Sequence, residues 1–534
     1  MANEVARAVE KAYPGQNKMV GLMAYYNHSD PPDFVLEPNV YVQLSTSFIG
    51  GKKTFDEIIE EWPLKTKNLG FYDYYSVWRW DADRWPGGRG GNTDYLATMI
   101  RRFHAANAKG KSFAPSISAE SSNNWGLHGR SYYLTSKLMW NPDVDATAVL
   151  EDFYRKAFGA GASEMKKFYA LQDAAPPMSP GLLGALYRHV HAASEATLND
   201  ALVQKRLDDI KNYLVFDYWS RKQDRETDQA ARKVTTEKIW ELTYRSRYQY
   251  LNHWNAIRND WINDTGAPDF SRPWKIDKPV SHDEIETWFQ EALKYYPELK
   301  IPDEKKFSEE LVAVDFGGKG EANSQNYQEG ATYAIWSGKG EPISIKFDAG
   351  SAYGGLRHEW KITDVKGKVL KEGKPKADEK VEFDFKVPAP GIYYFTYNDR
   401  GAYVQIYWKD QLVSLPLKNR TFRAMQPVGS MYFYVPKGTK EINYYYKRAD
   451  WQFGGPHQIS DASGKVIQEV SVDGDYVSIA VPAGQDGKVW KIGGPQFGLG
   501  SFRFFNVPNY FSPNAGKMLL PKDVAAKDKL KSLK

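Results

Sequence analysis

The chain has no cysteine in its 534 residues. That excludes disulfides, thiolate metal sites and a cysteine nucleophile together. No apolar run approaches the roughly 18 residues that suggest a membrane span. The opening residues, Met1 to Glu10, lack the basic start and apolar stretch of a secretory signal, so the sequence as it stands is expected to stay in the cytoplasm. One-signed charge is scarce too. The net charge is +5 with no block of Lys and Arg, which argues against nucleic acid as a partner. There are nine histidines and no HExxH pattern, and His189 and His191 face different ways on a helix. No metal centre and no cofactor are therefore expected. The run Gly87 to Gly91 lacks the Lys-Ser/Thr of a phosphate loop and reads as flexible. The sequons at Asn27, Asn263 and Asn419 carry little weight by themselves.

Aromatic residues, by contrast, are plentiful at 15%, with 17 Trp and 35 Tyr. Most of them belong in β-rich cores. Sugars, however, present flat C–H faces that stack on Trp and Tyr, so exposed members point toward a saccharide. The length exceeds what one core can fill, and 42% hydrophobic with 26% charged residues is the balance of a folded multidomain protein.

The first third alternates helix and strand. Val5, Ala8, Val9 and Ala12 recur at helical spacing up to Pro14-Gly15. Strands are expected over residues 18–25, 39–45, 70–78 and 111–118. Thr54 and Glu57 form a capping box for a helix after the second strand, and residues 94–106 make a helix with Leu96, Met99, Ile100 and Phe103 on one face. Apolar strands alternating with helices predict a parallel sheet covered on both sides. A (β/α) barrel needs eight such units in about 250 residues, so four read as entry halfway round one.

Residues 141–302 are helical in pattern. A stripe from Val149 to Phe158 ends at Gly159, and Ser179-Pro180 starts another helix through Leu182, Leu186 and Val190. The last helix is expected over residues 283–295. The period then becomes two: Ile343, Ile345 and Phe347 alternate with polar residues, as do Val381, Phe383 and Phe385. An internal repeat matches residues 362–370 to 459–467, with a glycine at the same place and a Val-Pro-Ala downstream at Val387 and Val481. Two related β-sandwiches divided near Tyr397 to Gln405 account for it. The expected fold is thus a multidomain α/β plus all-β chain: residues 1–140 the C-terminal half of a TIM barrel, 141–303 helical, 304–400 and 401–520 two β-sandwiches, and 521–534 a tail.

Strand-to-helix loops carry the active sites of such barrels. Residues 78–91 form an open loop rich in Trp, Asp and Arg, and residues 119–126 another. Asp73 lies on the third strand and Glu120 at the end of the fourth. A charged residue on a barrel strand is costly unless paired or used. Two carboxylates on adjacent strands suit glycoside hydrolysis, one as acid and the other as nucleophile or base. Trp78, Trp80, Trp125 and Tyr25 are candidates to stack a sugar, and Asp81, Asn123 and Asn124 to bind its hydroxyls. The plainer reading has Asp73 paired with a Lys or Arg inside the barrel and Glu120 capping the next helix. Arg79, Arg84, Arg89 and Arg130 are candidates for a carboxylated sugar.

The same residues carry a family resemblance. Asn3 to Ala6, Tyr13-Pro14-Gly15, Ala24-Tyr25, Leu36 to Val40, Tyr72 to Tyr75, Glu120 through Trp125 to Tyr132, and Leu138 to Asp145 together resemble domain-of-unknown-function family 4838. Residues 433–438 and 481–490 resemble the tail of its members. The resemblance implies a glycosidase-type TIM barrel similar in layout to α-glucuronidases and β-hexosaminidases, in exported bacterial proteins of periplasmic or extracellular location. Members carry further strands upstream, so this chain is expected to be a truncated copy whose open barrel edges promote self-association. The expected function is a glycoside hydrolase-like activity on a poly- or oligosaccharide. A non-catalytic carbohydrate-binding or cell-surface protein is the alternative.

Overall fold

A computed structural model describes residues 1–111, 116–121, 123–257, 275–317, 323–328, 331–350, 358–398, 403–408, 411–416, 430–448, 457–470, 474–493 and 500–533. The chain forms two compact units, Met1–Leu299 and Lys300–Lys534.

The first unit opens with α1 (Ala2–Ala12) and a four-stranded parallel sheet in sequential order: β1 (Val20–Tyr26), β2 (Val40–Ile49), β3 (Leu69–Ser76) and β4 (Ser116–Ser121). Two helices return the chain between strands, α2 (Phe55–Glu61) and, beyond the short α3 (Trp78–Asp81), α4 (Thr93–Gly110). Local chemistry sets the starts. Thr54 and Glu57 make the expected reciprocal capping box on α2, and Asn92 caps α4 by accepting from Tyr95 N. The fourth strand overlaps its expected span at residues 116–118 and runs on to Ser121, and residues 112–115 of that span lie outside the described residues.

The helices cover one face of the sheet. Val40, Val42, Leu44, Leu69 and Phe71 join Ile58, Ile59, Met99 and Phe103 in one apolar cluster, with Phe71 stacked on Phe103 at 4.0 Å. The other face is partly exposed: Met23 is 38% accessible, and Ser116 and Ser118 are exposed. The expected two-sided cover is therefore corrected. Strand β1 alternates in burial because Gly21, Met23 and Tyr25 point away from the helices.

Helices α5 (Trp125–Trp140), α6 (Ala146–Phe158), α7 (Ala162–Ala174), α8 (Pro180–Glu195), α9 (Ala201–Arg225), α10 (Gln229–Arg245) and α11 (His282–Tyr295) build a second core. Gly159 ends α6 with φ +49°, and Ser179 caps α8 from Leu182 N with Pro180 in the first turn. Ser281 and Glu284 give α11 a second capping box. Among the described residues no helix is long and apolar enough to cross a membrane.

The second unit is antiparallel. Its strands are β5 (Leu311–Asp315), β6 (Asn323–Gln328), β7 (Ala331–Ser337), β8 (Ile343–Ala349), β9 (Glu359–Thr363), β10 (Val369–Gly373), β11 (Lys380–Phe385), β12 (Gly391–Asn398), β13 (Tyr403–Trp408) and β14 (Leu412–Pro416). There follow β15 (Met431–Val435), β16 (Glu441–Arg448), β17 (His457–Ser460), β18 (Val466–Val470), β19 (Asp475–Ala480), β20 (Lys488–Gly493), β21 (Gly500–Phe504), β22 (Tyr510–Phe511) and β23 (Lys517–Pro521).

The repeat seen in sequence extends to strand order. The arrangement β10-β9-β12-β7 beside β11-β8-β13 recurs as β18-β17-β20-β15 beside β19-β16-β21. In each copy an aspartate closes the hairpin turn. Asp364 N donates to Lys368 O and Asp461 N to Lys465 O; each carboxylate takes two backbone N–H groups, from Lys366 and Lys368 or from Ser463 and Lys465. The matching glycines, Gly367 and Gly464, have φ +81° and +86°, which only glycine adopts without strain. Strand β13, which begins within the expected division at Tyr397–Gln405, and β14, which follows it, pair with β8 and β7, which precede it. One apolar cluster runs through both copies, from Tyr333 and Phe347 to Phe433, Trp490 and Phe511.

Candidate functional site

Phe71 sits among the helices, so alternation along β3 sends Tyr72 and Tyr74 to the opposite, partly open face. Pairing carries that face across the sheet. Tyr74 is opposite Glu120, and Asp73 is opposite Ala119. Tyr41 on β2 passes over Gly70 to bond the Ser116 hydroxyl; a Cβ at Gly70 would fall 1.8 Å from the Tyr41 oxygen.

At the C-terminal strand ends the rings join into one surface. Tyr25 meets Tyr26 at 4.4 Å and Phe48 at 5.7 Å; Phe48 meets Tyr74 at 5.5 Å and Trp80 at 5.8 Å. Tyr74 also meets Trp80 at 5.2 Å and Tyr72 at 5.3 Å. Tyr26, Phe48 and Trp80 are 38%, 40% and 51% exposed. Tyr26 and Phe48 hold φ of +47° and +57°, and Ala82 and Asp83 behind Trp80 hold +49° and +53°. Bulky residues reach that region only at a cost of order 1–3 kcal/mol, and such positions concentrate at ligand sites. The Tyr72 hydroxyl donates to Glu120 Oε1 at 3.0 Å. Burial, then the carboxylate, pushes Tyr72 up to about 12, so it remains a donor. Burial and the neighbouring Tyr74 raise Tyr25 as well.

Of the sequence candidates, the structure brings Tyr25, Trp80 and Glu120 to this surface. Asp73 is turned the other way. Fully buried on the helix side, it accepts from Thr46 Oγ1 at 2.6 Å, from Tyr95 Oη at 3.0 and 3.1 Å and from Tyr74 N at 2.8 Å, with Arg89 at 3.6 Å. This is the internal arginine pairing of the plainer expectation. The companion expectation, that Glu120 caps the next helix, does not hold: Asn124 caps α5 by accepting from Leu127 N, because Glu120 still lies within β4.

The remaining candidates hold the loops. Asn124 is buried and donates to Asp83 O at 3.2 Å. Asp81 accepts from Ser76 Oγ and Asp83 N, both at 2.9 Å, and burial raises its pKa. Trp78 packs on the helical core, and Trp125, though 53% exposed, stands edge-on to Tyr132 at 4.8 Å, a ring stacked over Tyr75 on the helix side. The Asn123 carbonyl accepts from Trp125 N. Sequence reasoning passed over Tyr26, Phe48, Tyr72 and Tyr74. The signal available was the alternation Phe71–Asp73 against Tyr72–Tyr74.

The arginines proposed for an acidic sugar are engaged by carboxylates. Arg84 pairs with Asp224 and Arg89 with Asp73. Buried Arg130 grips Asp173 with two bonds of 2.8 Å and lies 4.6 Å over the Tyr169 ring. The side chain of Arg79 lies outside the described residues, as do Asn263 and Asn419. Beside Arg130 on α5, buried His128 has Nδ1 3.1 Å from the Tyr132 hydroxyl. That hydroxyl donates its own proton to Ser121 O at 2.7 Å, so His128 Nδ1 is the donor and Nε2 is the bare nitrogen. Among the described residues Nε2 has no hydrogen-bond partner, and it lies against Gly87, where a Cβ would come within 2.2 Å. Burial, then Arg130, holds this imidazole down to about 3.

The family model described as "Domain of unknown function (DUF4838)" matches residues 1–170, the stretch holding the whole parallel sheet and Glu120. No curated protein matches the chain. Among solved structures it is similar to a protein described as a novel family GH115 4-O-methyl-alpha-glucuronidase, BtGH115A, with specificity for decorated arabinogalactans. Identity is 12% and the TM-score 0.29; the likeness covers 76% of this chain and 60% of that one, so the chain spans less than two thirds of that protein.

Proposed function

We propose that the protein is carbohydrate-active and that a poly- or oligosaccharide lies across Tyr26, Phe48 and Trp80 with Glu120 touching its hydroxyls. The observation carrying this reading is the ring surface itself. Its rings are continuous and partly exposed, two of them rest on strained backbone, and a carboxylate adjoins them through Tyr72. Flat apolar rings suit sugar C–H faces, and a carboxylate oxygen accepts from a sugar hydroxyl. The position of the rings, at the C-terminal ends of sequential parallel strands, fits half of a glycosidase-type barrel, and the antiparallel copies of the second unit are read as two sandwiches. That layout and the family match support a periplasmic or extracellular setting. Each outer strand, β1 and β4, has one hydrogen-bonded neighbour among the described residues, so self-association along these edges is part of the proposal.

Binding is tested by titrating the chain with neutral and acidic oligosaccharides. Trp80→Ala and Phe48→Ala are each expected to weaken the best ligand roughly tenfold, a loss of about 1.4 kcal/mol. Unchanged affinity in both variants would remove the surface from the site.

Hydrolysis is the second reading, and Glu120 favours it. A two-carboxylate mechanism places its acids about 5 to 9.5 Å apart across the scissile bond. Asp73, on the opposite face and committed to Arg89, Thr46 and Tyr95, does not supply the partner. Turnover by this chain would run through Glu120 as acid or base, and Glu120→Gln is expected to abolish it.

A further inference from the structure

We infer that the ring surface takes uncharged sugar units and turns away uronic acids, with Glu120 as the residue that decides. The inference rests on the saccharide reading above and narrows it to a substrate class.

Three observations lead to it. The strand positions that face with Tyr72 include Met23 and Tyr25 on β1, Tyr41, Gln43 and Ser45 on β2, Tyr74 on β3, and Ser116, Ser118 and Glu120 on β4. Glu120 is the one ionic group among them. Its Oε1 already accepts from Tyr72 at 3.0 Å, and among the described residues no donor is bonded to Oε2, which can accept from a ligand. A neutral sugar offers that oxygen a hydroxyl donor. A uronate offers a second negative charge a few ångströms away, where the repulsion is far stronger beside partly buried rings than in open water.

The second observation concerns cations. A uronate is held best by an arginine fork. Arg84 and Arg89 after β3 and Arg130 on α5 are engaged by Asp224, Asp73 and Asp173. Swinging Arg89 toward a ligand would strip the nearest cation from a fully buried Asp73. Arg130 is itself buried and bonded at both terminal nitrogens.

Third, Tyr72 orients the carboxylate while remaining protonated. Burial and Glu120 itself raise its pKa, so its hydroxyl keeps the proton that it donates to Oε1.

The test uses the full chain and matched probes: cello-, manno- and galacto-tetraose, each beside its C6-oxidised uronate counterpart, titrated by calorimetry. We expect at least one neutral oligomer to bind and its uronate to bind at least ~10-fold more weakly at low salt. Between about 20 mM and 1 M salt that gap is expected to close, because like-charge repulsion is screened. In Glu120→Gln the ratio of neutral to uronate affinity is expected to fall toward one. The salt series needs no substitution, so the inference stays testable should that variant misfold. Uronates binding as well as or better than neutral oligomers would overturn the inference and leave the saccharide reading standing. A gap indifferent to salt and to Glu120→Gln would overturn it too. Failure of every oligomer to bind would overturn both.

Discussion

Asp73 and Glu120 lie one register position apart on neighbouring parallel strands and project to opposite faces of the sheet. Asp73 is paired with Ala119, and Glu120 with Tyr74. Two carboxylates that look adjacent in a list of strands are thus separated by the sheet itself. Their neighbours differ accordingly: an arginine, a threonine and a tyrosine around Asp73, and the Tyr72 hydroxyl at half-buried Glu120.

That separation makes the two substitutions diagnostic. Asp73→Asn should lower stability by about 2–3 kcal/mol, since donors aimed at a buried carboxylate lose part of their acceptor. Oligosaccharide affinity should stay within about twofold. Glu120→Gln should do the reverse, weakening the ligand while stability stays within roughly 0.5 kcal/mol. Denaturant midpoints and titrations on both variants check this. A large loss of affinity in Asp73→Asn, at unchanged stability, would contradict the opposed faces.

His128 predicts an acid-labile fold. Its folded pKa, about 3, lies below the ordinary 6.5. The unfolded chain therefore takes a proton, as the pH drops through 6.5, that the folded chain refuses. The contribution is complete above 6.5 and shrinks at up to ~1.4 kcal/mol per pH unit as the pH falls toward the folded value. His128→Asn, which keeps a donor for Tyr132, should flatten that slope. Parallel stability curves for the two proteins between pH 7 and 5 would refute this assignment.

The repeated turn predicts equal costs in two distant places. Asp364→Ala and Asp461→Ala each remove a carboxylate that accepts two backbone N–H groups, and each should cost about 1 kcal/mol. Alanine at Gly367 or Gly464, forced to φ above +80°, should cost about 1–2 kcal/mol. Urea melts of the four variants give the comparison. Markedly unequal losses within either pair would mean that the two turns are not equivalent.

Local chemistry was legible in the sequence. Thr54 with Glu57, Ser179 before Pro180, Gly159, and the shared Asp-x-x-Gly turns each act within a few residues, and each is found where its spacing placed it. The parallel strands were legible as elements, though not to their ends. Strand β2 runs on to Ile49, carrying Thr46 to Asp73 and Phe48 to Trp80. Those contacts join residues 27 and 32 positions apart, and no short-range pattern announces them. The facing of Asp73 was available from alternation, yet the rarity of a strand carboxylate drew attention to it and away from the tyrosines on either side.

The paired copies in the second unit invite treatment as interchangeable modules, and Phe511 argues otherwise. It lies on a strand that pairs with β14 of the first copy, while its ring stacks on Phe504 and packs against Phe433 of the second. A cut between the copies would open a single apolar interior and leave rings from both halves in water. The two copies thus share one interior, and neither would keep its rings covered without the other.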